Sequence, residues 1–133
     1  MKYFLDTNIC VYFLKGKYPA LAAHLKRHDP ADIKIPAIVK AELLLGAEKS
    51  ERRVETADKV NAFLGPYDIV PFDDNVAVVY AGLRARLEKK GNCIGPNDLL
   101  VAAIVMAGNG CLITHNIAEF NRVTELKQAD WTE

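Results

Sequence analysis

Lys2-Tyr3-Phe4-Leu5-Asp6-Thr7-Asn8 is the stretch on which the fold turns. Lys2 to Leu5 is a short apolar run, suited to a buried strand, and it stops at three residues that all make good helix caps. A strand passing directly into a helix over about Asn8–Leu14 is therefore expected. Cys111-Leu112-Ile113 repeats the pattern near the other end, followed by Thr114-His115-Asn116 and one helical turn over Asn116–Phe120. Between them, helices are expected over Pro19–His28, Ala37–Glu48, Glu51–Leu64, Asn75–Lys90 and Pro96–Ala107, punctuated by Asp29-Pro30, Gly65-Pro66, Gly91 and Gly108-Asn109-Gly110. Ile33-Lys34-Ile35 and Ile69-Val70-Pro71 read as two further strands. Short strands alternating with helices imply a mainly parallel sheet wrapped on both sides, the α/β class. Ligands in such folds bind outside the carboxyl ends of the strands, so Asp6 and Asn116 belong on the functional edge.

The 133 residues are the size of one domain, 1–133, with no internal repeat, low-complexity tract or linker. Half of them are apolar, a rich share that points to surface covered by a partner. No apolar run is long enough to cross a bilayer, and Asp6 arrives too early for a signal peptide, so a cytoplasmic protein is expected. Cys10, Cys93 and Cys111 are odd in number and widely spaced, and read as reduced packing residues. Lysine plus arginine equals aspartate plus glutamate at 17 each, so long-range attraction to nucleic acid is weak and any such contact must be local. Candidates are Lys15 with Lys17, Lys26 with Arg27, the helix-end group Arg84, Arg86, Lys89 and Lys90, and above all Lys40 beside Glu42.

Three carboxylates stand where carboxylates are expensive. Glu42 has Ile38, Val39, Leu45 and Gly46 as its helical neighbours, an apolar face on which an ionised acid needs a basic partner or a metal. Asp98 is the one charge of a helix whose remainder, Leu99 to Ala107, is entirely core-like. An acid in the first turn also complements the helix dipole, and Asp6 also fits as a plain N-cap. Those separate explanations weaken when the acids must occupy one crevice, because converging carboxylates repel unless cations neutralise them. Oxygen ligands without a histidine or cysteine cluster point to magnesium or manganese in preference to zinc.

Phe4-Leu5-Asp6-Thr7-Asn8, Ala41-Glu42-Leu43 with Gly46-Ala47, Asn97-Asp98-Leu99 with Ala102-Ala103, and Thr114-His115-Asn116 before Glu119-Phe120 together resemble the PIN domain. Within it they resemble the VapC-type toxins of prokaryotic toxin–antitoxin pairs. The resemblance spans nearly the whole chain in order and spacing. It implies a PIN-like three-layer α/β/α sandwich around a mainly parallel sheet of four to five strands. It also implies that Asp6, Glu42 and Asp98 are metal ligands. The fourth acidic position falls on Glu119, directly or through water, or on Asn116, where many members carry aspartate. Asn116 and Glu119 alternatively form a capping box. Thr7 and Thr114 are placed to orient the acids by hydrogen bonding, or serve as turn residues.

The activity so implied is magnesium-dependent hydrolysis of RNA, a transfer RNA included, with manganese able to substitute, leaving a 5′-phosphate and a 3′-hydroxyl. The implied partners are a small antitoxin, often placing an arginine among the carboxylates, and a second copy of the chain, with Leu43 to Leu45 contributing to an interface. His24 and His28 share one charged helix and His115 stands apart, so no histidine pair serves 2′-hydroxyl attack. Two rival readings remain. A haloacid-dehalogenase-like phosphatase also starts from an aspartate after an apolar strand, but wants a second aspartate where Asn8 stands and a later lysine. A non-catalytic binding domain would carry its acids for structure alone.

Overall fold

β1 (Tyr3–Leu5) forms where the opening run predicts it, and its Phe4 and Leu5 are buried on opposite faces, as a central parallel strand requires. The computed structural model describes residues 1–133. β1 lies in the middle of a five-stranded sheet with β2 (Ile33–Pro36), β3 (Asp68–Val70), β4 (Cys111–Ile113) and β5 (Lys127–Ala129), in the order β3-β2-β1-β4-β5. Every neighbouring pair is parallel, with Tyr3 opposite both Ile33 and Cys111. The helices are α1 (Thr7–Leu14), α2 (Pro19–Arg27), α3 (Ala37–Lys49), α4 (Arg53–Leu64), α5 (Asp74–Lys89), α6 (Pro96–Ala107) and α7 (Ile117–Phe120).

The chain steps one way across the sheet from β1 through β2 to β3, then jumps back over β1 to β4 and β5. With right-handed crossovers, opposite directions of travel place their helices on opposite faces, which gives three layers. The reversal falls between β1 and β4. Connections diverge there and leave a crevice at the carboxyl ends of the two strands.

The sheet is parallel throughout, where a mainly parallel one was expected, and it has the fifth strand that the expected four to five allowed, on residues that no strand pattern marked. Lys127-Gln128-Ala129 has no apolar pattern because β5 is an edge strand, held by its ladder to β4. The segment after it is pinned by Trp131, which is buried and stacks on His28 at 4.5 Å and His24 at 5.1 Å while touching Tyr3. β3 begins one residue earlier than expected and ends before Pro71, which has no N–H to add to a ladder. α4 starts at Arg53, because Glu51 and Arg52 form the turn from α3. The turn after α6 needs its glycines: Asn109 takes a φ of +50°, and a Cβ on Gly110 would collide with the Phe4 ring. The three cysteines are free, but Cys93 is exposed in the α5–α6 connection and packs nothing, contrary to its expected role.

Candidate active site

Only two polar residues are buried in this molecule, Asp6 and Thr114, and they follow β1 and β4, the two strands that flank the crevice. The Asp6 N–H donates to the Ile113 carbonyl at 3.1 Å, which ties the strand exit to its neighbour. Asp6 Oδ1 accepts the Ile9 N–H at 2.9 Å, so the residue does cap α1. That cap uses one carboxylate oxygen and leaves the other. Burial pushes the Asp6 carboxyl above its usual range. Hydrogen bonds from Thr114 and Ile9 pull it back, and the negative charges of Glu42 and Asp130 push it up again. Thr114 Oγ1 accepts the Asn116 N–H at 2.9 Å, so one hydroxyl braces both the acid and the turn after β4.

Glu42 arrives from the second turn of α3. The Thr7 hydroxyl donates to its Oε1 at 2.6 Å, and Asn97 Nδ2 lies 3.4 Å from its Oε2. Thr7 thus orients a carboxylate, as the sequence suggested, from the first position of α1. Asp98 sits in the first turn of α6, directly before the core helix segment. Asp6, Thr7, Asn8, Glu42, Asp98 and Val101 line a cavity of about 100 Å³, and Glu42 and Asp98 also border the adjoining cleft at Gly95, Pro96 and Asn97.

Glu119 reaches the same cleft from α7. Its Oε1 accepts the Gly95 N–H at 2.9 Å and its Oε2 accepts Asn116 Nδ2 at 2.6 Å. The alternative capping box does not form. Asn116 spends its side chain on the Glu119 carboxylate, and no side chain caps α7. Glu119 is also hydrogen-bonded to Asp98, and the pair divides one proton unequally. Burial, the bond to Glu119 and the charges of Glu119, Asp6 and Glu42 push Asp98 up to about 7. Glu119 is held below the usual range, chiefly by the Gly95 N–H.

Three acids from three separate segments therefore line one cleft, a fourth, Glu119, is bonded to its wall, and none of the molecule's ion pairs includes any of them. The salt-bridge explanation for Glu42 finds no base. In kind and in place, the donors suit a hard divalent cation: carboxylates, with hydroxyl and amide groups fixing them, and no thiolate or imidazole among the lining residues. The shell stands open, since no three acidic, histidine or cysteine side chains close on a single point. Repulsion between unscreened carboxylates and the tethers on Glu42 and Glu119 account for that spread.

Other expected groups lie elsewhere. Lys40 is two residues before Glu42, about 200° around the helix, and does not line the cleft. No lysine does, which leaves the phosphatase reading without its basic residue. His115 pairs with an acid and a hydroxyl and not with another histidine: its Nδ1 is 2.8 Å from Asp130 Oδ2 and 3.1 Å from Thr132 Oγ1. Sequence reasoning missed Asn8 and Asn97, the amide residues at the cleft. Their one signal was position, each within two residues of a predicted acid.

A family model described as PIN domain matches residues 3–126. Ribonuclease VapC2 of Rickettsia felis is 39% identical over 98% of both chains. The tRNA(fMet)-specific endonuclease VapC of Shigella flexneri is 30% identical over 99% of both. A crystal structure of VapBC2 from Rickettsia felis, bound to a DNA fragment from its promoter, contains a chain that superposes with a TM-score of 0.93. That chain is 38% identical, with 98% of this chain and 99% of the other covered.

Proposed function

This chain belongs to the PIN domain family, and from that premise we propose that it is a VapC-type ribonuclease toxin, hydrolysing RNA with magnesium held by Asp6, Glu42, Asp98 and Glu119. The observation that carries the reading is that Asp6, Glu42 and Asp98 line one cleft, with Glu119 bonded to Asp98 beside it, and no basic side chain is paired to any of them. A divalent cation bound among them supplies Lewis-acid polarisation of the scissile phosphate and acidification of a water, with manganese an effective substitute for magnesium.

The protein's own groups do the rest. Ile9 N–H and Thr114 hold the Asp6 carboxylate, and Thr7 holds Glu42, so two acids are oriented before any substrate arrives. Glu119 is hydrogen-bonded to Asp98 and to the Gly95 N–H, which fixes the position of both carboxyl groups beside the cleft. Attack by water leaves a 5′-phosphate and a 3′-hydroxyl.

The same reading gives the protein an antitoxin partner, a homodimeric state and a cytoplasmic site of action; no helix is long and apolar enough to cross a membrane. Transfer RNA is the first substrate to try, since a relative at 30% identity is named for it. The test is cleavage of purified RNA with magnesium, with a chelator, and by Asp98→Asn. Chelation and the substitution should each abolish cleavage, and expression of the variant should no longer arrest growth. Undiminished cleavage by a folded Asp98→Asn protein would end the reading. So would a phosphoryl group trapped on Asp6.

A further inference from the structure

Next to the carboxylates, the same edge of the sheet carries a group of aromatic rings that the cleavage chemistry leaves unused. Tyr12, in the last turn of α1, and Tyr18, at the N-cap of α2, meet edge to face at 5.2 Å. The His115 ring lies 6.1 Å from Tyr12 and 5.7 Å from Tyr18. Lys17 Nζ hangs over both tyrosines, 4.8 Å and 5.4 Å from the ring centres. Both tyrosines are half-buried, whereas Lys17 and His115 are exposed, so the cluster is open to a ligand.

Its position ties it to the cleft. Asn8 lines the carboxylate cavity, and Tyr12 is one turn further along the same face of α1, about 6 Å along the axis. His115 directly follows Thr114, the residue that braces Asp6. Asp130 fixes the imidazole at 2.8 Å and is near enough for its charge to act on Asp6. The net charge is zero, so affinity for a polyanion must come from local contacts other than bulk attraction. Aromatic faces with a cation beside them are how proteins hold unpaired bases.

We propose that Tyr12, Tyr18 and His115, with Lys17 over them, form a stacking platform that seats one nucleobase of single-stranded RNA beside the cleft. The inference rests on the ribonuclease reading. The probe is a fluorescein-labelled single-stranded RNA of mixed sequence. Cleavage is mapped on the unmodified protein with magnesium, and binding is measured by anisotropy on the Asp98→Asn protein, so that the RNA survives. Adding Tyr12→Leu or Tyr18→Leu should weaken binding roughly 5- to 100-fold, while the Phe replacements stay within about twofold. Walking a single abasic residue along the RNA should find one position that costs as much as the leucine variants and is not additive with them.

Equal binding by folded leucine variants would overturn the platform while leaving the ribonuclease intact. If those variants misfold, the abasic walk on the unsubstituted platform decides, and a flat profile overturns it. Leucine variants that lose only inhibition by the antitoxin would make the cluster a protein contact, and the proposal would fall. Absence of any RNA cleavage by the unmodified protein would take the ribonuclease reading with it.

Discussion

Asp68 and Asp98 lie at opposite ends of the strands, and folding treats them in opposite ways. Asp68 opens β3, is exposed, and meets Lys34 at 2.7 Å, which holds its carboxyl below the usual range through the hydrogen bond and then the charge. Asp98 is half-buried among three other acids and meets no base, and its carboxyl is driven up to about 7. The lesson concerns supply of counter-charge. Where the fold provides a cation the acid is structural, and where it gathers acids and provides none, the charge is met by a proton or by a cation from solution.

The largest break in that contrast should come from Asp98→Asn and Asp6→Asn. Each is expected to lower the initial rate of RNA cleavage at least about hundredfold at saturating magnesium. Circular dichroism should stay native, since asparagine still caps a helix. Asp68→Asn, measured beside them, should cleave at the rate of the parent. A comparable loss in Asp68→Asn would erase the distinction between the two ends.

Thr114→Val sharpens it at the next level down. The variant removes a fully buried hydroxyl that serves Asp6 and accepts the Asn116 N–H. Cleavage should drop about tenfold. Stability should fall by about 1–2 kcal/mol in chemical denaturation, the penalty for orphaning a buried donor.

A subtler effect follows pH in protein stripped of metal. Folded Asp98 keeps its proton up to about 7, whereas in the unfolded chain it gives it up near the ordinary aspartate value of 3.8. Between those values the folded state binds more protons, so Asp98 destabilises the fold as pH rises. Asp68 works the other way: its folded carboxyl is depressed, and its contribution is present above the unfolded value and lost as pH falls through the folded one. With chelator present, the melting temperature of Asp98→Asn should gain on that of the parent from pH 4 towards 7 and then level. A constant gap would contradict the assignment of the proton to Asp98. The smallest effect is expected from Lys34→Met, which keeps the largely buried stem of the side chain and loses only its bond to an exposed carboxylate, so the melting temperature should barely move and the difference should vanish in high salt.

Much of this frame was legible in the sequence. β4 and α6 run over the residues expected, because Cys111–Ile113 and Leu99–Ala107 are unbroken apolar segments between proline, glycine and threonine signals. β5 was not, since an exposed edge strand leaves no apolar alternation behind. Among the site residues, Asp6, Glu42 and Asp98 stood out as charges in apolar surroundings. Glu119 did not, because its neighbourhood in sequence reads as an ordinary helix start. Only the fold brings Gly95 and Asp98 against it. Asn97 and the pairing of His115 with Asp130 depend on contacts across the fold, which no local pattern announces.

The place of β4 also has a meaning in time. β1 is the first strand made, yet the neighbour that completes its crevice is Cys111–Ile113, with Thr114, Asn116 and Glu119 behind it. A ribosome that has released only the first three strands carries an intermediate with an incomplete cleft, holding Asp6 and Glu42 but neither Asp98 nor the segment that bears Glu119. The cleft is thereby completed late: Asp98 and then Glu119 leave the ribosome well after Asp6 and Glu42 have been placed.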